Sequence, residues 1–314
     1  MIDWDSISAA ISSATQQPFQ LANPSRPPLV RGGGTSPPDK GGGGVEPLGG
    51  GCINQTFRIR GEDHRQFFIK LNDARHLPML VAEAEGLNVI AATNSIRVPR
   101  PIAHGTSSGQ SYLVLEHLEL SSSGEAKLLG EQLAALHRCS SKQFGYTHDN
   151  FIGTTQQPNG WSDDWITFWR KQRLGFQLKL AAQNGYGCQL QNLGEKLLDA
   201  LPALFVGYSP QPALLHGDLW SGNHAFLADG TPAIFDPAIY YGDRECDLAM
   251  TELFGGYPAD FYAAYRAAYP MDSGYSTRRN LYNLYHVLNH ANLFGGGYAR
   301  QSGQLMQRLL SEVS

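Results

Sequence analysis

The sequence predicts an α+β fold in two lobes, a small antiparallel-sheet N-lobe with one key helix and a larger, mainly helical C-lobe. Three observations predict it. Residues 48–118 alternate short apolar runs with turn residues, as strands do. From about residue 125 the apolar positions recur at helical spacing instead. A chain of 314 residues with 42% apolar and 17% charged content has enough material for a large core and for two lobes.

Trp4, Ile7 and Ile11 stand at helical spacing, so residues 3–17 are expected to form a short amphipathic helix within an N-terminal segment 1–22. Residues 23–47, NPSRPPLVRGGGTSPPDKGGGGVEP, are almost all Pro, Gly and small polar residues. Such a stretch cannot bury enough surface to offset its ordering entropy, and it reads as a flexible insertion. Prolines flank its glycines and no strand leads into them, which argues against a phosphate cradle there.

The N-lobe is expected over 48–117. LGGGCINQTFRIRG (48–61) and QFFIKLN (66–72) read as a hairpin with a glycine-rich turn at its head. MLVAEAEGLNVIAA (79–92) reads as a helix, VPRPIAHG (98–105) as a proline-stiffened connection and SYLVLEHL (111–118) as an apolar strand. The C-lobe is expected over 118–314. Leu129, Leu133 and Leu136 mark one helix, Trp165, Phe168, Trp169 and Phe176 a long aromatic one, and Leu281, Leu284, Tyr285 and Leu288 another. A junction near 116–120 would put a cleft between the lobes, where ligands usually sit.

The chemistry concentrates in residues 214–247. Asp218 lies in LLHGDLWSGN, Asn223 follows five residues later and Asp236 thirteen after that, with HAFL and AIF reading as a hairpin around the turn ADGT. That hairpin brings Asn223 and Asp236 together at its open end. An amide oxygen beside a carboxylate is a hard donor pair suited to Mg²⁺, and a separate aspartate can accept the proton of a substrate hydroxyl. This spacing is the catalytic-loop layout of the protein-kinase class, with Asp236 in FDPA standing where that class has the Asp of DFG. A lone HGD is a weak signal, since His and Asp often cap turns; the joint pattern is much stronger.

The complementary half should hold ATP. Lys70, set among Phe67, Phe68, Ile69 and Leu71, is either an edge-strand charge facing water or an inward phosphate ligand. The glycine turn one strand earlier and an acidic helix soon after favour the second. Glu83 is the chosen partner of Lys70, with Glu85 its competitor. Gly49, Gly50 and Gly51 let backbone amides approach phosphate oxygens. Glu116, His117 and Leu118 lie at the junction, where backbone groups could meet adenine. Asp247 is either the N-cap of the helix that follows it or a buried brace of the catalytic loop. Trp220 either shapes an acceptor pocket or packs in the core. Cys52, inside the glycine turn, is either a small apolar filler or a redox-sensitive thiol.

Taken together, GGGCINQTFRI, FFIK, the EAEGL helix, VPRP, HGDLWSGN, IFDPA and YYGDRECDLAM resemble the fructosamine/ketosamine kinase family, over about residues 1–22 and 48–312. The segment WSDDWITFWRKQRLGFQLKLA is similar to a family segment near the acceptor side; the insertion 23–47 is a departure. The resemblance implies a protein-kinase-like fold related to aminoglycoside and choline kinases. It also implies ATP-dependent phosphorylation of the sugar 3-hydroxyl in fructosamine or ribulosamine adducts, free or protein-bound, after which the adduct eliminates and the amine is regenerated. Carried over, Asp218 is the base, Asn223 and Asp236 hold Mg²⁺, Lys70 contacts the phosphates of ATP and Glu83 positions it. Trp220 stands two after Asp218, where serine/threonine kinases carry a lysine, which argues against a protein kinase proper. The alternatives are a kinase of the same fold acting on an aminoglycoside or other amino alcohol, and a nucleotide-binding pseudoenzyme. The latter is disfavoured because Lys70, Asp218 and Asp236 are all present.

The net charge of −4 argues against a nucleic-acid or membrane-surface partner. The acidic start MIDWDSISAA is no secretion signal, and no apolar run of about 18 residues suggests a membrane span. Cysteines 52, 139, 188 and 246 form no CxxC pair and are expected as reduced thiols of a cytoplasmic protein.

Overall fold

The computed structural model describes residues 2–22, 44–49 and 53–313. The chain divides into two compact units, one formed by Met1–Asn88 with Pro99–Glu119 and the other by Val89–Val98 with Leu120–Ser314.

In the first unit, α1 (Trp4–Thr15) starts where the Asp3 carboxylate accepts the Ser6 N–H. The expected helix is therefore present. Five strands follow the order β1-β2-β3-β5-β4, all antiparallel: β1 (Val45–Leu48), β2 (Gln55–Arg60), β3 (Gln66–Asp73), β4 (Pro101–Ser107) and β5 (Gln110–Glu116). The helix α2 (Leu77–Ala92) connects β3 to β4. Ile7 and Ile11, one turn apart on α1, pack with Phe67, Ile69, Leu71, Tyr112 and Val114 on one sheet face. Each such fully buried aliphatic side chain contributes about 1.5–3 kcal/mol. The alternation along β3 sends Lys70 to the opposite face.

Two expectations need correction here. Residues 45–47, assigned to the insertion 23–47, belong to β1, paired from Val45 opposite Ile59 to Leu48 opposite Thr56; the rest of that insertion up to residue 43 lies outside the described residues. The stretch 98–105 is not merely a connection, because Pro101–Ser107 is strand β4, with a register shift between Pro101 and Ala103. Both strands lie at sheet edges, where a proline forfeits no ladder hydrogen bond, so a rule that demotes proline-bearing stretches misses them.

The second unit carries β6 (Leu120–Ser121), α3 (Ala126–Leu136), the hairpin β7 (Asn150–Ile152) and β8 (Thr155–Gln157), then an aromatic helical run. That run is α4 (Trp165–Phe168), a π-helical turn Trp169–Leu174 and α5 (Gly175–Gln183), opened by the Asp164 carboxylate accepting from Thr167 N–H at 2.7 Å. Its Trp165, Phe168 and Trp169 are buried against Tyr240, Tyr282 and Tyr285. Next come α6 (Cys188–Ala200), β9 (Ala213–Leu215), the hairpin β10 (His224–Leu227) and β11 (Pro232–Ile234), and β12 (Tyr240–Gly242), which pairs with β9. The chain ends in α7 (Glu245–Leu253), α8 (Ala259–Ala268), α9 (Tyr275–Phe294) and α10 (Tyr298–Glu312). The expected helix at Leu281–Leu288 is the buried middle of α9. Among the described residues, no helix is long and apolar enough to cross a membrane.

Candidate active site

β9 delivers the chain into His216-Gly217-Asp218. Gly217 has φ +85°, and a Cβ there would lie 2.1 Å from the Ala238 carbonyl oxygen, so only glycine fits this turn. The loop is held from α7. The Asp247 carboxylate accepts the His216 N–H at 2.7 Å, the Gly217 N–H at 2.8 Å and the His137 Nε2–H at 3.0 Å. The His137 Nδ1 meets the Tyr265 hydroxyl at 2.8 Å. Burial opposes the Asp247 charge, yet these donors, His137 first, hold its pKa below the ordinary value. Asp247 lies within α7 and braces the loop 216–218; Arg244 is the residue at the N-cap. His216 is fully buried, and burial lowers its pKa. It is a neutral ring that donates from Nε2 to the Phe235 carbonyl and accepts the Asp218 N–H at Nδ1.

The side chain of Asp218 is only half-buried. Its pKa is pushed up to about 7, first by desolvation, then by the charges of Asp236 and Asp247, with the Asn223 hydrogen bond pulling the other way. Asn223 donates from Nδ2 to the Asp218 carbonyl at 2.8 Å and to its Oδ2 at 3.4 Å. That orientation turns the amide oxygen of Asn223 into the end available to a cation.

The hairpin acts as the spacing predicts. β10 and β11 pair His224 with Ile234, and the Phe235 N–H donates to the Asn223 carbonyl at 3.1 Å, which puts Asp236 one residue beyond Asn223's partner. Asp236 has φ +61° and precedes Pro237. A residue before proline avoids helical conformations, so this backbone is held at a cost of about 1–3 kcal/mol. Among the described residues no group of three or more His, Cys, Asp or Glu could hold a metal. An amide oxygen and a carboxylate, as on Asn223 and Asp236, are donors that would suit a hard cation.

Trp220 is 37% exposed, with its ring over Gly222 and edge-to-face to Phe254 at 6.1 Å, so core packing is not its role.

In the first unit, the Lys70 Nζ lies 2.7 Å from the Glu83 Oε1, with side-chain exposures of 6% and 11%. Lys70 sits on β3, flanked by β2 and β5, so the edge-strand reading fails and Glu83 is its partner. Glu116 ends β5; its N–H donates to the Arg100 carbonyl, so that amide is not offered to a ligand. His117 and Leu118 follow in irregular, half-buried backbone. Gly49 is exposed with open space around it; Gly50, Gly51 and Cys52 lie outside the described residues. His137, Asn150 and Gln157, which support the second unit's site, carry no local sequence signal, because their partners lie some 80–110 residues away.

The family model for fructosamine kinase matches residues 42–312. The probable ketoamine kinase of Synechocystis sp. is 46% identical over 311 residues, covering 98% of this chain and 97% of its own length. The chloroplastic protein-ribulosamine 3-kinase of Arabidopsis thaliana is 43% identical, with 80% and 78% covered. A solved fructosamine-3-kinase candidate from Haemophilus somnus aligns at TM-score 0.83 and 29% identity, covering 98% and 97%. An aminoglycoside phosphotransferase aligns at TM-score 0.54 and 14% identity over 85% and 94%, which speaks to the fold alone.

Proposed function

The chain belongs to the fructosamine kinase family, and from that premise we propose that it transfers the terminal phosphoryl group of ATP to the 3-hydroxyl of ketosamines, ribulosamine and fructosamine adducts of amines. The arrangement that carries this reading is the trio in the second unit: Asn223 hydrogen-bonded to Asp218, and the residue before Asp236 hydrogen-bonded to Asn223. Asp218 is the proposed base. With a pKa near 7 it is basic enough to take a hydroxyl proton and is still about half ionised in neutral solution. Asn223 fixes the Asp218 backbone and carboxylate, so the accepting oxygen is oriented before the acceptor arrives. Asn223 and Asp236 are the proposed Mg²⁺ ligands, and Mg²⁺, when bound, neutralises charge on the phosphates.

Lys70 is the proposed phosphate ligand, pinned by Glu83 so that its ammonium does not swing to solvent. Gly49–Gly51 and the backbone of His117 and Leu118 are assigned to the nucleotide's phosphates and adenine. Trp220, two residues from Asp218 and partly open to water, is assigned to the acceptor, where an indole face suits the C–H surface of a sugar. The product is a 3-phosphorylated ketosamine prone to elimination, so the activity is one of deglycation, on free or protein-bound adducts.

The test is an ATP-consumption screen with ribulosamine, fructosamine, choline and aminoglycosides, with the phosphate position read by NMR. Turnover of the ketosamines with phosphate on the 3-oxygen is expected; turnover confined to an aminoglycoside would replace this reading with the other small-molecule kinase.

A further inference from the structure

The strained Asp236 backbone needs something to hold it. Upstream, Phe235 is tied to Asn223 and to His216. Downstream, the Ala238 N–H donates to the His216 carbonyl at 2.8 Å. The Ala238 and Ile239 carbonyls then receive two buried side-chain amides from the β7–β8 hairpin. Gln157 donates from Nε2 to the Ala238 oxygen at 3.0 Å, and Asn150 donates from Nδ2 to the Ile239 oxygen at 2.7 Å.

These amides are themselves locked. Gln157 donates its second N–H to the Asn150 Oδ1 at 2.8 Å and accepts the Tyr285 hydroxyl at 2.8 Å. Asn150 Oδ1 also accepts from Asn159 Nδ2 at 3.0 Å, and Asn159 Oδ1 accepts from Arg173 Nη2 at 2.7 Å. Arg173 is buried in the π-helical turn, its guanidinium 3.9 Å from the centre of the Tyr240 ring. Gln157, Asn159 and Arg173 are all 0% exposed. A fully buried chain of amides terminating on two consecutive carbonyls is an expensive way to fill a core, because every member must stay paired. Hydrophobic residues would fill the same space without that constraint.

We propose that Gln157 and Asn150 are positioning residues that hold Asp236 in its cation-binding conformation by gripping the two carbonyls just beyond Pro237. Pro237 transmits the grip, since its fixed φ leaves little slack between Asp236 and Ala238. The proposal rests on the reading of Asp236 as a metal ligand. Gln157→Glu keeps the shape and the acceptor for Tyr285 but replaces the nitrogen that donates to the Ala238 carbonyl and to Asn150 Oδ1 with an oxygen.

The measurement is the affinity of the full-length protein for Mn²⁺ with ADP, read by electron paramagnetic resonance, beside the Mg²⁺ concentration for half-maximal turnover and the melting temperature. Gln157→Glu is expected to weaken both metal constants about tenfold, within the scale of buried hydrogen bonds turned unfavourable. Asn289→Leu is the control. Asn289 is an equally buried amide that donates to the Ile152 carbonyl of the same hairpin and reaches no residue of 235–239. It should lower the melting temperature and leave the metal constants unchanged. Wild-type Mn²⁺ affinity in Gln157→Glu, or a loss no larger than in Asn289→Leu, overturns the proposal. Should Gln157→Glu fail to fold, Tyr285→Phe, which frees the far end of Gln157 and keeps the ring, decides by the same criterion with an expected loss of about threefold. Asp236→Asn separates the two layers. If it retains Mn²⁺ affinity, the metal reading itself fails; if it loses affinity while the Gln157 and Tyr285 variants do not, only the positioning role fails.

Discussion

Asp218 bears a cost that fits the base role proposed for it. Its carboxyl, ordinarily near 3.8, is raised to about 7 by burial and by Asp236 and Asp247. As pH climbs from 4 to 8, the unfolded chain releases this proton first and the folded chain holds it. The folded state therefore binds more protons and stability falls with pH over that window. Asp218→Asn removes the penalty. In EDTA it should melt higher than wild type at pH 8, by on the order of 1–3 kcal/mol after screening, and equally at pH 4. Its turnover should fall by roughly 10²–10⁴ with ATP affinity kept, the scale of a lost general base. Wild-type turnover would remove Asp218 from the mechanism. Trp220 presents the opposite balance. Since it is 37% exposed, Trp220→Ala should move the melting temperature little, within about 0.5 kcal/mol of stability. It should raise the ketosamine KM at unchanged ATP KM; an unchanged ketosamine KM would take the indole out of acceptor binding.

At the scale of elements, the loop 216–218 is held less by its own residues than by α7. Asp247 collects three N–H donors from two distant segments. Asp247→Asn keeps one acceptor oxygen and turns an NH₂ group toward donors. We expect a loss of about 1–3 kcal/mol in stability, since buried donors are left unpaired. A kcat loss of about tenfold or more should accompany it, with ATP KM unchanged because Lys70 and Glu83 are untouched; steady-state kinetics and thermal melts check both, and wild-type kcat would show that the loop needs no brace. What the sequence made legible follows the same division. The Asp218–Asn223–Asp236 set could be read because its geometry is local: one turn and one hairpin fix it. The Lys70–Glu83 pair could be read because strand and helix are adjacent in the chain. The brace by His137 and the amides of Asn150 and Gln157 could not, since only tertiary packing brings them to residues far along the sequence. Strands β1 and β4 escaped because proline is tolerated at an edge, and no single-sequence pattern reveals which strands are edges.

For the whole molecule, the two residues that flank 23–43 are informative. The Gly44 N–H donates to the Ala22 carbonyl at 2.9 Å, the Ala22 N–H donates to the Arg60 carbonyl at 2.9 Å, and the Arg60 N–H donates to the Gly44 carbonyl at 2.8 Å. Ala22 and Gly44 thus meet as neighbouring residues of a ladder, and a Cβ on Gly44 would lie 2.5 Å from the Ala22 oxygen. Two residues can close such a gap, in the manner of a tight hairpin. Replacing residues 23–43 by Asn-Gly should therefore preserve the fold and the kinetics. If the native connection behaves as an unstructured chain, shortening it recovers closure entropy, (3/2)RT ln of the length ratio, or about 2 kcal/mol, and the melting temperature should hold or rise. The cut must stop before Gly44, because removing Val45 and Glu46 would strip β1 from the sheet, and a deletion of 24–46 should lower the melting temperature where the 23–43 replacement does not. A replacement variant that melts well below wild type, or whose ATP KM rises tenfold, would show that residues 23–43 contribute to the folded protein or to nucleotide binding.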